Sequence, residues 1–160
     1  MKKLEVSRID FEEERARLSQ SYGFTADPCD TVYALMNRQV TWSMQVVNFD
    51  QLKMLYFQMA LFVYEEGKDP FKLKQASIRS ELHNWIQLAE RGVFDRNRTR
   101  VTVITCRAAS CEECQKLGDA TFSLHEALER MPIPVRACTY KLDQTNPYGW
   151  CRCVYELIFN

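Results

Sequence analysis

The chain has 160 residues, of which 46% are hydrophobic and 26% are charged, values that are usual for a globular protein and exclude a disordered one. Twenty-one basic side chains balance twenty-one acidic ones, and residues 1–98 and 99–160 are each balanced on their own. A dedicated nucleic-acid or membrane-surface protein usually carries an excess of positive charge, so both classes are disfavoured. The length suits one compact domain, or a helical part fused to a small metal-bound part.

The cysteines are expected to be reduced. The N-terminal segment turns acidic at Asp10, where a signal peptide would need an apolar run, and no stretch is apolar for the roughly eighteen residues of a membrane span. We therefore expect a cytoplasmic protein. In that compartment seven cysteines, an odd number, are not expected to pair as disulfides.

Four amphipathic helices are predicted in the first part of the chain, because apolar residues recur there at three- and four-residue spacing. Their stripes of methionine and aromatic residues are typical of helix packing rather than of a cofactor site. Acidic residues, prolines and glycines mark the ends. The predicted helices begin near Asp10, at Asp27 or Asp30, at Asp50 and at Pro70, and they end at Tyr22, near Val47, at Glu66 and at Arg91.

The residue pattern of the sequence changes after Gly92. Residues 100–105 are rich in β-branched side chains and have an alternating pattern, which predicts a strand. Residues 153–159 predict a second strand, and residues 124–131 predict a short helix. We therefore expect an α+β fold. Its domains are predicted to be a helical bundle of about four helices over residues 1–95 and a small zinc-organised sheet with a short helix over residues 96–160.

The cysteines are concentrated at the C-terminal end. Zinc takes four soft ligands at tetrahedral corners, and two cysteines separated by two residues reach one ion from a single tight turn. Cys111 and Cys114 have this spacing, directly after the predicted strand. We predict one zinc ion per chain, bound by Cys111, Cys114, Cys138 and Cys153, with Cys151 as an alternative to Cys153.

Several ligand choices stay open. Side chains one residue apart on an extended strand point the same way, so Cys151 and Cys153 can both bind, or one of them can face the core. His125 is an alternative ligand, although a surface or capping position is the simpler expectation. Cys29 and Cys106 stand apart and are predicted to be buried thiols. The alternative to zinc is a set of buried, metal-free cysteines.

No catalytic residues are predicted. A catalytic zinc keeps one open coordination position and needs a general base. The Cys-Glu step at Cys111 matches half of the zinc-deaminase pattern, but no Cys-x-x-Cys follows Pro134. His125 is the one histidine of this region, too few for a nuclease of the His-Asn-His class. The expected role is a noncatalytic zinc protein that binds or scaffolds a protein partner.

Two alternatives belong to other functional classes. A thiol-redox enzyme or sensor would use Cys111 and Cys114 directly, although the acidic residues between them oppose thiolate formation. A nucleic-acid-binding protein would use the arginines near the cysteine region. These are Arg96, Arg98, Arg100, Arg107 and Arg152.

Three short segments carry a resemblance to a known family. Residues 111–122, 131–134 and 149–153 are similar to the C-terminal cysteine module of phage head-morphogenesis (minor capsid) proteins, where Cys-x-x-Cys precedes a Leu-x-Gly-x-x-Phe stretch and a proline-rich loop leads to Cys-Arg-Cys. The family loop usually contains a histidine, for which this chain offers Cys138 upstream. Within residues 106–155 the resemblance implies a small zinc-bound module of treble-clef or knuckle type.

Overall fold

The computed structural model describes residues 7–106 and 109–159 and has the expected α+β fold. The four long helices predicted from the sequence are confirmed, and so are the two main strands. None of the described helices is long and apolar enough to cross a membrane. The elements are α1 (Arg8–Tyr22), α2 (Pro28–Gln45), α3 (Phe49–Glu65), α4 (Phe71–Glu90), β1 (Thr99–Ile104), α5 (Glu112–Gln115), β2 (Thr121–Ser123), α6 (Leu124–Arg130) and β3 (Val154–Phe159).

Local capping chemistry explains where the first helices begin. The side-chain oxygen of Ser7 accepts a hydrogen bond from the N–H of Asp10 at 3.1 Å, which satisfies one of the unpaired donors at the start of α1. Asp27 does the same for α2, and Pro28 occupies the first turn, where its missing N–H costs nothing. Gly23 ends α1 with a positive φ of 75°, the backbone conformation that glycine tolerates best.

The chain divides into two compact units, of which the first ends at Val46. In this unit α1 packs against α2. Glu14 of α1 is only 1% exposed and forms ion pairs with Arg17 at 2.5 Å and with Arg38 of α2 at 2.9 Å. A buried carboxylate therefore links the two helices through Arg38.

The second unit begins at Val47 and contains α3, α4 and the sheet. The sheet is antiparallel, with the strand order β2-β1-β3, so β1 lies at its centre and Val101 faces Phe122 on one side and Leu157 on the other. Helix α6 packs against α4 and the sheet. Leu82 and Ile86 of α4 share one core with Val101 of β1, and four cysteines belong to this same core.

The compact division at Val46 differs from the domain boundary predicted near residue 95. Helix α4 lies before that boundary, yet Leu82 and Ile86 are buried together with Val101 and Val103, which lie after it. The division into 1–95 and 96–160 as separately folding domains therefore stays a prediction.

Candidate metal centre

Five cysteine side chains form one cluster in the second unit. The sulfur atoms of Cys111, Cys114 and Cys138 all lie within 4.8 Å of one another, and so do those of Cys114, Cys151 and Cys153. Because Cys114 belongs to both groups, the five thiols are continuous. No disulfide links the cysteines in the described part of the chain. The cluster offers enough thiol ligands to hold a metal ion.

Two sulfur–sulfur distances in the cluster match tetrahedral coordination. The distance from Cys111 Sγ to Cys138 Sγ is 3.7 Å, and that from Cys114 Sγ to Cys151 Sγ is 3.8 Å. An ion bound at about 2.3 Å by four sulfur atoms at tetrahedral corners separates its ligands by about 3.8 Å. The two pairs share no residue, and Cys114 joins them into one cluster because its sulfur lies within 4.8 Å of the other four.

A single helical turn brings Cys111 and Cys114 together. Cys111 is the extended residue just before α5, and Cys114 lies within this four-residue helix. The N–H of Gln115 donates to the carbonyl oxygen of Cys111 at 3.0 Å, and the N–H of Leu117 donates to that of Cys114 at 3.1 Å. These bonds close the turn and confirm that the Cys-x-x-Cys pair lies in a tight turn after β1.

Gly149 holds the segment of Cys138 against the segment that carries the last two cysteines. A Cβ atom at position 149 would lie 1.7 Å from the carbonyl oxygen of Cys138, far inside any van der Waals contact. The N–H of Trp150 also donates to the carbonyl oxygen of Tyr140 at 2.6 Å. The close approach of these two segments, and with it the position of Cys138, therefore requires glycine at 149.

Cys151 and Cys153 both enter the cluster just before β3, and they are 3% and 4% exposed. The strand itself starts at Val154, one residue later than predicted. The N–H of Val135 donates to the sulfur of Cys151 at 3.2 Å, a contact that stabilises a thiolate. The structure thus gathers all five predicted ligands, and which four bind an ion stays a prediction.

Lys74 is a cation beside the cluster that the sequence reasoning missed. Its side chain is buried, its Nζ donates to the carbonyl oxygen of Cys151, and it lies 4.0 Å from the centre of the Trp150 ring. Burial lowers the pKa of Lys74 to about 8, although the thiol of Cys151 beside it acts in the opposite direction. The sequence spacing could have indicated this position. Lys74 lies four residues before Ile78, which places it on the same face of α4 as Ile78 and Leu82.

Burial and mutual hydrogen bonds shift the pKa values of the clustered thiols in opposite directions. Burial raises the pKa of Cys111, but the N–H groups of Thr139 and Cys114 outweigh it and bring that pKa to about 7. Burial raises the pKa of Cys114 to about 12. Hydrogen bonds among the thiols lower the pKa of Cys151 and raise those of Cys138 and Cys153. A metal ion would replace the protons of these thiols.

The two cysteines predicted to stand apart and the alternative ligand His125 all lie outside the cluster. Cys29 is exposed in the first turn of α2, so the prediction that it is buried was wrong, because the start of that helix faces solvent at this residue. Cys106 is half-buried and lines a small cavity beside the cluster without joining either sulfur group. His125 is exposed and contacts Arg96, so it does not complete the sulfur site.

The arginines considered for nucleic-acid binding do not form a single group. Arg152 stacks over Tyr140, with its guanidinium carbon 5.0 Å from the ring centre, and both residues line the small cavity at the cysteines. Arg96 and Arg100 line a different cavity. Arg107 lies outside the described residues.

Comparison with protein families, with curated proteins and with solved structures finds no match for this chain. The resemblance to phage head-morphogenesis proteins therefore stays a prediction. The function has to be inferred from the geometry and chemistry of the cluster itself.

Proposed function

We propose that the cluster binds one zinc ion per chain and that this ion is structural. The observation that carries the proposal is the cluster of five thiols, in which Cys114 lies within 4.8 Å of every other sulfur and two sulfur–sulfur distances, 3.7 and 3.8 Å, match the separation of neighbouring zinc ligands. The 3.8 Å contact of Cys151 with Cys114, together with the N–H of Val135 that donates to its sulfur, favours Cys111, Cys114, Cys138 and Cys151 as ligands. Cys153 is then the thiol of the cluster that does not bind the ion. This choice reverses the preference for Cys153 that the sequence spacing gives.

The surroundings of the cluster support a noncatalytic role. The cavity that touches Cys111, Cys114, Cys138 and Cys153 has a volume of about 10 Å³, room for about one water molecule. Its described lining contains neither a carboxylate nor an imidazole that could act as a general base. Four thiolates also complete the coordination shell of zinc. Such a centre suits holding a fold together.

The ion would join three segments that are far apart in the sequence: the α5 turn, the loop that carries Cys138 and the residues just before β3. Because an unfolded chain cannot hold these ligands together, binding free energy becomes folding free energy. We propose that the surface stabilised in this way binds or scaffolds a protein partner in a reducing compartment. The neutral net charge supports a protein partner, as do Leu142 and Tyr148 in the loop between Cys138 and Cys151, which are 48% and 39% exposed.

The experiment compares serine variants of the cysteines after expression with added zinc. Zinc content is measured by elemental analysis, and folding by near-ultraviolet circular dichroism and thermal melting. Cys111→Ser and Cys114→Ser are expected to lose zinc and to unfold the second unit, whereas Cys29→Ser, an exposed control, keeps both. Stoichiometric zinc and an unchanged melting curve in both cluster variants would contradict the proposal.

A second candidate function is thiol sensing by Cys111 and Cys114. Cys111 is half-buried at the start of α5, where N–H groups favour its thiolate. Oxidation would join the two sulfur atoms as a disulfide, with two electrons and two protons passing to an oxidant such as glutathione disulfide. Titration of the native, zinc-loaded protein distinguishes the functions. A closed zinc site reacts slowly, whereas a sensor forms the Cys111–Cys114 disulfide rapidly and returns to the thiols with a reductant.

A further inference from the structure

A second cavity in the same unit, here called the arginine cleft, is separate from the cysteines. Its volume is about 260 Å³, below the roughly 300–1,000 Å³ of pockets that take drug-sized ligands. No cysteine lines it. Its polar lining consists of Arg96, Asn97, Thr99, Arg100, Ser123 and His125.

The sheet register explains why these residues meet. Arg100 of β1 pairs with Ser123 of β2 in the antiparallel ladder, and His125 follows two residues after Ser123 at the start of α6. Arg96 and Asn97 belong to the turn that leads into β1. Residues from two distant parts of the sequence are thus placed around one space by a single strand pairing.

The charge of the cleft is not compensated by neighbouring carboxylates. No acidic side chain lines it, and neither Arg96 nor Arg100 forms an ion pair with any described residue. The nearest acidic residues in the sequence do not form ion pairs with these arginines. Asp95 accepts the N–H of Asn97 at 2.8 Å, and Glu126 pairs with Arg130 at 3.1 Å. In a chain of zero net charge, this cleft is locally positive.

Several hydrogen-bond donors of the cleft remain available. Arg100 makes one long bond, at 3.5 Å, to the carbonyl oxygen of Thr121, which leaves most of its guanidinium N–H groups for a ligand. Arg96 contacts Nε2 of His125, and because a guanidinium only donates, the histidine is the acceptor in this contact. The hydroxyl oxygen of Ser123 accepts the N–H of Glu126 at 3.2 Å, so its own O–H can still donate.

We propose that the arginine cleft binds a phosphate group. The planar fork of arginine donates two parallel hydrogen bonds to phosphate oxygens, and two such forks beside serine, asparagine and histidine suit a tetrahedral oxyanion. The phosphate can belong to a small phosphorylated molecule or to the backbone of a nucleic acid. This site does not depend on the zinc proposal, because none of its lining residues is a cysteine.

The first experiment titrates inorganic phosphate into the protein in chloride buffer at constant ionic strength, and amide chemical shifts in nuclear magnetic resonance spectra follow the binding. The signals of Asn97, Ser123 and His125 are expected to move together and to saturate. Arg96→Gln and Arg100→Gln are each expected to weaken binding about tenfold or more, the usual loss for a hydrogen bond to a charged group. Arg91→Gln, an exposed arginine outside the cleft, is the matched control and keeps wild-type binding.

Arg100→Lys separates charge from geometry. It keeps the positive charge but loses the fork, so its affinity is expected to fall between those of the wild type and Arg100→Gln. Circular dichroism checks that each variant is folded. The proposal is overturned if phosphate produces no saturable shifts, or if the Arg91→Gln control weakens binding as much as the cleft variants do.

A second arm identifies the source of the phosphate by fluorescence anisotropy with a labelled single-stranded oligonucleotide. A nucleic-acid backbone is indicated if the oligonucleotide binds about a hundredfold more tightly than inorganic phosphate. The slope of log affinity against log salt concentration should then become about one unit shallower in Arg96→Gln. Oligonucleotide affinity no higher than that of phosphate indicates a small phosphorylated molecule. Oligonucleotide binding that both glutamine variants leave unchanged would contradict the site.

Discussion

The Nζ of Lys74 donates a hydrogen bond to the main-chain carbonyl oxygen of Cys151, and this bond ties α4 to the cysteine cluster. A zinc ion with four thiolates carries two net negative charges, so a buried ammonium beside it stabilises the loaded site. The same ammonium lies over the ring of Trp150, which covers its other side. Lys74 is thus placed both to orient Cys151 and to balance its charge.

Replacing Lys74 by methionine tests this relationship, because methionine keeps the buried volume and removes the charge and the donor. We expect the zinc affinity to fall about 10- to 100-fold, as it does when partners of metal ligands are lost. Competition with a zinc-selective chelator measures the change. Lys72→Met, on the exposed side of α4, is the matched control, and an equal loss in both variants would contradict a specific role for Lys74.

Gly149→Ala tests the close approach at Cys138. The added methyl group would overlap the Cys138 carbonyl oxygen, so the two cluster segments have to separate. We expect the free energy of unfolding of the second unit to fall by about 2–3 kcal/mol. Urea denaturation of the zinc-loaded protein measures it. Gly118→Ala, whose methyl group would meet its nearest atom at 3.3 Å, should have a smaller effect, and the opposite order would refute the assignment.

Glu14 makes the stability of the first unit depend on pH. Hydrogen bonding from Arg17 is the main effect that lowers its pKa below the ordinary value of 4.5, partly opposed by burial and assisted by Arg38. A lowered pKa in the folded state means that the stabilisation is complete above about pH 4.5. This stabilisation is lost as the pH falls through the lowered pKa that Glu14 has in the folded protein.

Glu14→Gln is therefore expected to cost about 1–2 kcal/mol at pH 7, a moderate value because Arg17 and Arg38 are solvent-exposed. The difference from wild type should shrink as the pH falls below about 4.5, where the carboxylate of the folded protein becomes protonated. Thermal melting at a series of pH values measures it. The exposed Glu13→Gln is the control, and a constant difference for Glu14→Gln at all pH values would show that the ion pairs are not responsible.

Zinc binding should release protons. Thiol–thiol hydrogen bonds raise the pKa values of Cys138 and Cys153, and burial raises that of Cys114, so the metal-free cluster keeps protons that an ion has to displace. We expect the apparent zinc affinity to fall about tenfold or more for each unit of decreasing pH between about 8 and 6. Calorimetry in buffers of different ionisation enthalpy counts the released protons. An affinity independent of pH would argue against thiolate ligation.

The sequence could predict the features that depend on local chemistry. Asp27, Pro28 and Gly23 mark helix ends because capping and backbone conformation involve only neighbouring residues. The Cys-x-x-Cys turn is local in the same way. The prediction for Cys29 failed because the face of a helix that is buried depends on what packs against it, and one cysteine carries no information about that.

Other features depend on contacts between distant residues. Lys74 and Cys151 are joined by tertiary packing, and the arginine cleft exists because β1 and β2 place Arg100 beside Ser123. The choice between Cys151 and Cys153 stayed open because both side chains lie on the same side of one extended segment. Which of the two binds an ion depends on how the surrounding loops pack around their sulfur atoms.

The most direct test of the zinc centre is native mass spectrometry with elemental analysis, applied to protein expressed with added zinc. We expect one zinc ion per chain in the wild type and in Cys153→Ser, and none in Cys151→Ser. A natively folded wild-type protein without bound metal would contradict the central proposal. Zinc that is retained by Cys151→Ser and lost by Cys153→Ser would show that the ion is present with the other choice of fourth ligand.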